Sequence, residues 1–120
     1  MDLKSYLKNQ LKMVKVINVH GHYNVPAGYG SWLNYWERKK KKTAEVCQKN
    51  GCKETDNLEG GHVYLVGDEE TVYLVPICCK HNHYTLTDEY EVPEDMLLEV
   101  PEDDLERSIL EDWLESIKKS

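Results

Sequence analysis

The segment "VPICCKHNH", Val75 to His83, sets two cysteines and two histidines within six positions, and upstream Cys47 and Cys52 bracket "QKNG". Thiolate and neutral imidazole are the donors of choice for a soft or borderline metal, and a thiol beside an imidazole can also act as a nucleophile. Four chemistries are open to these residues: loose thiols, part of a disulfide framework, a catalytic dyad, or a metal site.

Spacing separates them. Cys47 and Cys52 have four residues between them, and Cys78 and His81 have two. Between the pairs lies "HVYLVGDEETVYLVPI", two β-rich runs around "GDEE", which predicts a hairpin. Two short chelating loops joined by a hairpin deliver four ligands with little ordering entropy beyond one loop closure. Gly51, just before the second cysteine, permits the tight backbone of such a turn. Cys79 and His81 leave a one-residue spacer, a poorer bite. The reading is therefore a closed structural Zn2+ site of Cys47, Cys52, Cys78 and His81, ahead of any set that uses Cys79 or His83. Disulfides fit badly, because the adjacent Cys78 and Cys79 are hard to place in two unstrained bridges. Cys79 is left as a free, partly buried thiol.

The elements that must position these ligands are legible in outline. Leu3, Leu7, Leu11 and Val14, with Tyr6, recur at helical spacing, which predicts an amphipathic helix over about residues 2–12. "MVKVINV" is β-branched and reads as extended chain, and "HGHYNVPAGYG" as a loop. "SWLNYWERKKKK" predicts a helix capped by Ser31, with Trp32, Tyr35 and Trp36 on one face. "YEVPEDMLLEVPEDD" mixes short strands with acidic, proline-broken loops. After Pro101, residues Leu105, Ile109, Trp113, Leu114 and Ile117 form one apolar stripe, which predicts a C-terminal amphipathic acidic helix over 101–118. There is no internal repeat.

The 120 residues suit a single domain. Hydrophobic residues make up 40% and Phe is absent, so the core is small and a metal staple would help it. Net charge is −7, from 22 acidic and 15 basic residues. The charge is segregated: the chain is basic from Lys4 to Lys53, peaking at Arg38, Lys39, Lys40, Lys41 and Lys42, and acidic from Glu54 onward. Such a balance excludes bulk binding of nucleic acid but leaves a local basic face for phosphate. No stretch is long or apolar enough to cross a membrane and no signal peptide is visible, so a cytoplasmic setting is expected, in which clustered Cys and His read as ligands rather than disulfides.

Knuckle, "GGHVYLV" strand, returning strand ending "VPIC", and "CxxHN" together resemble the treble-clef zinc finger of the HNH (ββα-metal) endonuclease type, over about residues 47–85. The resemblance implies a knuckle, a β-hairpin and a short helix carrying the second ligand pair. It also implies roles. His62 stands where the family has its general base, and Asn82, with His83 one residue late, stands where the family has a ligand to a second, catalytic divalent metal. Gly61 occupies the position of the family's metal-binding Asp. Without that carboxylate, a hard ion such as Mg2+ is poorly held.

Each candidate also has a plainer reading. His62 can be a histidine packed beside the zinc site; His20 and His22 can be polar members of a glycine-rich loop. Trp32, Tyr35 and Trp36 can stack bases or cover a small core. "RKKKK" can hold phosphate or simply end a helix favourably. The acidic C-terminal helix can bind a partner or lie across the domain. The expected architecture is α+β, a single domain over 1–120 with a treble-clef zinc core wrapped by N- and C-terminal helices. The expected function is a zinc-stabilised, non-catalytic module that binds a protein partner or nucleic acid. The alternative is a divergent HNH-type nuclease, with His62 as base, Asn82 or His83 near a second metal and Lys39–Lys42 on phosphate.

Overall fold

A computed structural model describes residues 12–19 and 23–105 of the chain. The fold is α+β, built on one five-stranded antiparallel sheet of order β4-β1-β2-β3-β5. Strand β1 is Met13–Asn18, β2 is Leu58–Leu65, β3 is Asp68–Cys78, β4 is Tyr90–Pro93 and β5 is Leu98–Glu99. Helix α1 is Trp32–Lys40, and a 3-10 turn covers Glu94–Met96. The β-branched run "MVKVIN" forms the second strand of the sheet, inserted antiparallel between β2 and β4.

The β2–β3 hairpin is the spine of the molecule. It closes through Val66 and Gly67, where Gly67 takes φ +94°, a conformation that L side chains rarely adopt. The turn is tighter than the sequence suggested. Asp68, Glu69 and Glu70 belong to β3 rather than to a "GDEE" loop, and they are exposed at its solvent end.

Strand β3 is buried on both faces, which explains its nearly unbroken apolar run. Val75 and Ile77 enter a cluster with Val16, Val63, Tyr90, Val92, Leu97, Cys47 and Cys78. Val72 and Leu74 enter a second cluster with Tyr35, Trp36, Val100 and Leu105. Helix α1 covers the second face. Ser31 caps it, its Oγ accepting from the Asn34 amide at 3.0 Å. Trp36 is fully buried and its Nε1 donates to the Met96 carbonyl at 2.8 Å; Trp32 Nε1 donates to the Tyr23 carbonyl at 2.9 Å. Tyr35 and Trp36 therefore cover the sheet, and a base-stacking platform made of them is ruled out by their burial.

The start of α1 lies directly on β2. A Cβ at Gly60 would come within 2.7 Å of the Trp32 carbonyl carbon and 2.9 Å of the Leu33 nitrogen, both main-chain atoms. Only glycine allows this approach.

Two expectations need correction or fall elsewhere. Residues 79–85 form successive turns, not the short helix that the family resemblance implied. The wrapping helices expected near both termini lie outside the described residues, apart from Lys12, which is not helical, and a helical stretch at 102–105. In the described part, additional strands β1, β4 and β5, rather than helices, extend the hairpin. No helix among the described residues is long and apolar enough to cross a membrane.

Candidate metal centre

Cys47 and Cys52 stand on an irregular knuckle that is stitched to the sheet by its own main chain. The Gln48 amide donates to the Pro76 carbonyl at 2.9 Å, Asn50 to Glu91 at 2.8 Å, and Cys47 to Glu54 at 2.8 Å. Within the knuckle, the Cys52 amide donates to Lys49 at 2.9 Å and Gly51 takes φ +87°. The second pair sits where β3 ends. The amides of His81 and Asn82 both donate to the Cys78 carbonyl at 3.0 Å, so the chain turns tightly and brings the His81 ring back beside the Cys78 sulfur.

The result is a cluster of Cys47, Cys52, Cys78 and His81 whose donor atoms all lie within 4.8 Å of one another. His81 Nδ1 is 3.6 Å from Cys47 Sγ and 3.3 Å from Cys78 Sγ. A zinc tetrahedron, with bonds of about 2.3 Å to sulfur and about 2.0 Å to nitrogen, places its S and N ligands about 3.5 Å apart. The four residues thus lie close enough to hold a metal ion, with Nδ1 as the imidazole donor. None of the four cysteines is in a disulfide. Cys47 and Cys78 are buried, Cys52 and His81 half-buried. Cys79 is exposed, not partly buried; its amide donates to the Asn57 carbonyl at 2.9 Å.

The electrostatics suit a cation. Burial pushes the Cys47 thiol up to about 12, while the amides of Cys78 and Lys49 directed at its sulfur pull the other way. The Glu54 amide does the same for Cys52 and, outweighing the small effect of burial, lowers it. Such N–H···S contacts stabilise thiolate, and a bound metal would supply the remaining compensation. Burial, and then the charges of Lys49 and Lys80, lower His81, which keeps its imidazole in the neutral, ligating form.

The candidate catalytic residues do not join this cluster. His62 points to the α1 face of the sheet. Its ring lies 4.8 Å from Tyr23 and 4.7 Å from Trp32, edge-on to the indole. Its Nε2 is buried without a hydrogen-bond partner, and burial lowers its pKa to about 4. Asn82 is on the opposite face. Its Nδ2 donates to Glu59 Oε1 at 2.8 Å, and its Oδ1 lies 3.1 Å from where a Cβ on Gly61 would stand. Successive residues of a strand face opposite ways, so the Gly61–Asn82 contact and the His62 ring are on different sides of β2. His83 is exposed; it pairs with Thr85 Oγ1 at 2.8 Å and stacks on Tyr84. His62 is therefore not a histidine beside the metal ligands either. A Cβ at Gly61 would overlap the Ile77 Cδ1 methyl, so the Asp of the family pattern would fit there only if the Ile77 side chain moved. His20 and His22 lie outside the described residues.

The basic run ends α1. Arg38 donates to the Gly28 carbonyl at 3.0 Å and lies 4.8 Å above the Tyr29 ring, with Lys39 at 5.8 Å from the same ring. Lys40 is half-buried and donates to the Asp95 carbonyl at 2.8 Å. Lys41 takes the left-handed cap conformation, φ 59°. Among the described residues Lys12 and Glu94 form an ion pair at 3.3 Å, whereas Arg38, Lys39, Lys41 and Lys42 form none.

One pair of supporting residues was not singled out in the sequence: Asn18 and Tyr90. Asn18 Nδ2 donates to the His81 carbonyl at 2.7 Å, and the Tyr90 hydroxyl donates to Asn18 Oδ1. The signal was present as a lone amide at an inward position of "MVKVIN", where a small domain normally spends an aliphatic residue. Comparison with family models, with curated proteins and with solved structures finds no match to this chain.

Proposed function

We propose that the chain is a small zinc-stabilised module without catalytic activity, of treble-clef, HNH-like kinship, that docks on nucleic acid through the basic end of α1. The observation that carries this reading is the divergence of two residue sets. Three thiols and an imidazole converge to ligand distance, while the sheet separates His62 from Asn82, and His83 is turned to solvent. Soft sulfur donors with one imidazole favour zinc over the hard ions of hydrolytic sites. The order knuckle, β2–β3 hairpin, Cys-x-x-His turn is that of a treble clef, with a turn in place of the final helix.

Nucleic acid is the favoured partner because, among the described residues, four cations at one helix end have no carboxylate partner, in a chain of net charge −7. Charge left unpaired where acid is plentiful is available to phosphate, and Arg38 is already placed over the Tyr29 ring and bonded to the Gly28 carbonyl. Four such contacts give a slope of log K against log salt of at most about −0.9 per cation, so binding is expected only at low ionic strength.

The test joins native mass spectrometry, with and without chelator, to anisotropy titration of labelled DNA and RNA. One zinc per chain, salt-sensitive binding, and its loss in Arg38→Glu/Lys39→Glu are expected. Plasmid cleavage with Mg2+, Mn2+ or Ni2+ that disappears in His62→Ala would replace this reading by the nuclease one. Zinc loading with no nucleic acid affinity at low salt would leave a protein partner instead.

A further inference from the structure

Asn18 is the buried polar side chain of the sheet, 8% exposed, at the end of β1. Its surroundings are otherwise apolar: Val16 precedes it on the same face, Val63 is its partner across β2, and Tyr90 stands beside it from β4. A buried amide in such a place costs stability unless all its groups are satisfied. Here they are satisfied in one sense only. The His81 carbonyl can only accept, so Asn18 must turn its Nδ2 toward it; Oδ1 then faces Tyr90, whose hydroxyl must donate. Burial raises the Tyr90 pKa, which keeps that hydroxyl protonated.

We infer that Asn18 is a positioning residue for the metal centre, and that Tyr90 orients it. The inference rests on the metal reading of the Cys47, Cys52, Cys78 and His81 cluster. The geometry explains why this amide is needed. His81 is the one ligand on a polar, largely exposed turn, and its Nδ1 must face Cys47 and Cys78. The turn bonds to Cys78 fix the chain direction, and the Cys79 amide anchors the start of the turn to the Asn57 carbonyl, but none of these bonds holds His81 itself against the sheet. The Asn18–His81 bond ties that residue to β1, two strands away, and so holds it there. The other side-chain tie, Asn82 to Glu59, is exposed and therefore weak. Outer partners of this sort change metal affinity by about 10–100-fold when removed.

The test uses the full chain, loaded in turn with Zn2+ and with Co2+, whose absorption bands report ligand geometry. Wild type, Asn18→Leu, Tyr90→Phe and Asn82→Ala are compared for zinc affinity by chelator competition, for the cobalt spectrum, and for melting temperature. Asn18→Leu is expected to weaken zinc by about 10–100-fold and to alter the cobalt bands. Tyr90→Phe, which keeps the bond to His81, is expected to lower the melting temperature with zinc affinity within about 3-fold of wild type, and Asn82→Ala to change little. Should Asn18→Leu fail to fold, Asn18→Asp, which keeps the acceptor for Tyr90 and loses the donor to His81, is read in the same way. An Asn18 variant that loses melting temperature yet keeps the wild-type cobalt spectrum and zinc affinity overturns the positioning role and leaves a merely structural one. A wild-type chain that takes up neither ion overturns the metal reading itself, and this inference with it.

Discussion

Histidine 62 makes a prediction about acid that is independent of the metal. Its Nε2 has no partner and no contact with water, although the residue as a whole keeps some accessible surface. Charging that ring would put a cation between Tyr23 and Trp32 with nothing to receive its proton, so the folded pKa is lowered from 6.5 to about 4. Between those values the unfolded chain binds a proton that the folded chain refuses. Stability is therefore intact above pH 6.5 and falls as pH drops toward 4. The loss is about 2 kcal/mol at pH 5 and about 3 kcal/mol once it saturates. That is a sizeable share of the roughly 5–15 kcal/mol that holds a typical domain. Thiolate protonation also weakens the protein in acid, but it acts equally on a variant at position 62. The measurement is thus a difference: urea unfolding of wild type and His62→Leu, both with excess zinc, from pH 7 to pH 5. The leucine variant is expected to gain about 2 kcal/mol relative to wild type over that range. Curves that fall in parallel refute the claim that His62 is buried neutral, and would reopen the question of whether it meets water or a substrate.

Other expectations follow from contacts already described. Gly60→Ala forces a methyl against the main chain of Trp32 and Leu33, so α1 must lift; a loss of about 3 kcal/mol, near the upper range for overpacking, is expected in chemical unfolding. Gly61→Ala meets the end of the Ile77 side chain instead, which can rotate, and should cost less; equal losses would show that α1 is not seated as described. Serine at Cys47, Cys52 or Cys78, or alanine at His81, should cut zinc affinity by more than the roughly 10–100-fold of an outer partner, whereas Cys79→Ser should leave stoichiometry and affinity unchanged. A loss with Cys79→Ser equal to that with Cys78→Ser would show that the ligand set has been misassigned.

That Cys47, Cys52, Cys78 and His81 come together could be read from spacing because such turns are local: a two-residue spacer between Cys78 and His81 is a property of one turn, and the hairpin between the pairs is a property of two adjacent β-rich runs. α1 was equally legible, since Ser31 and the Trp32, Tyr35, Trp36 face carry their own signals. What escaped was everything set by long-range pairing. Nothing in "MVKVIN" says that it inserts between β4 and β2, and nothing in "GGHV" says that α1 will occupy one glycine's space and Ile77 the other's. The family pattern puts a carboxylate at position 61, where any side chain would have to displace that of Ile77. Alternation along β2 could have warned that residues 61 and 62 face opposite ways, and hence that His62 and a partner at Asn82 need not meet.

The continuous burial of β3 raises a question of layers. A strand covered on both faces needs two covers. On one side the cover is α1, which satisfies its own backbone and brings Tyr35 and Trp36. On the other, Val63, Val75, Ile77 and Val92 lie under the knuckle and the turns around residues 79–89, segments without regular structure. Irregular chain is a poor cover, because ordering each residue costs about 1–2 kcal/mol of backbone entropy that no helix ladder offsets. On the proposed reading the ion supplies what the helix supplies opposite: it joins the knuckle to the end of β3 and holds both over the aliphatic side chains. Chelation should then be felt unevenly. In hydrogen exchange, the amides of Cys47, Gln48, Asn50, Cys79 and His81, each on a segment that the ion would secure and each bonded to a main-chain carbonyl, should lose protection first. The amide of Tyr35 in α1 should lose it later. Simultaneous loss on both faces would mean that the metal holds the whole domain, and that the two covers are not separate units of stability.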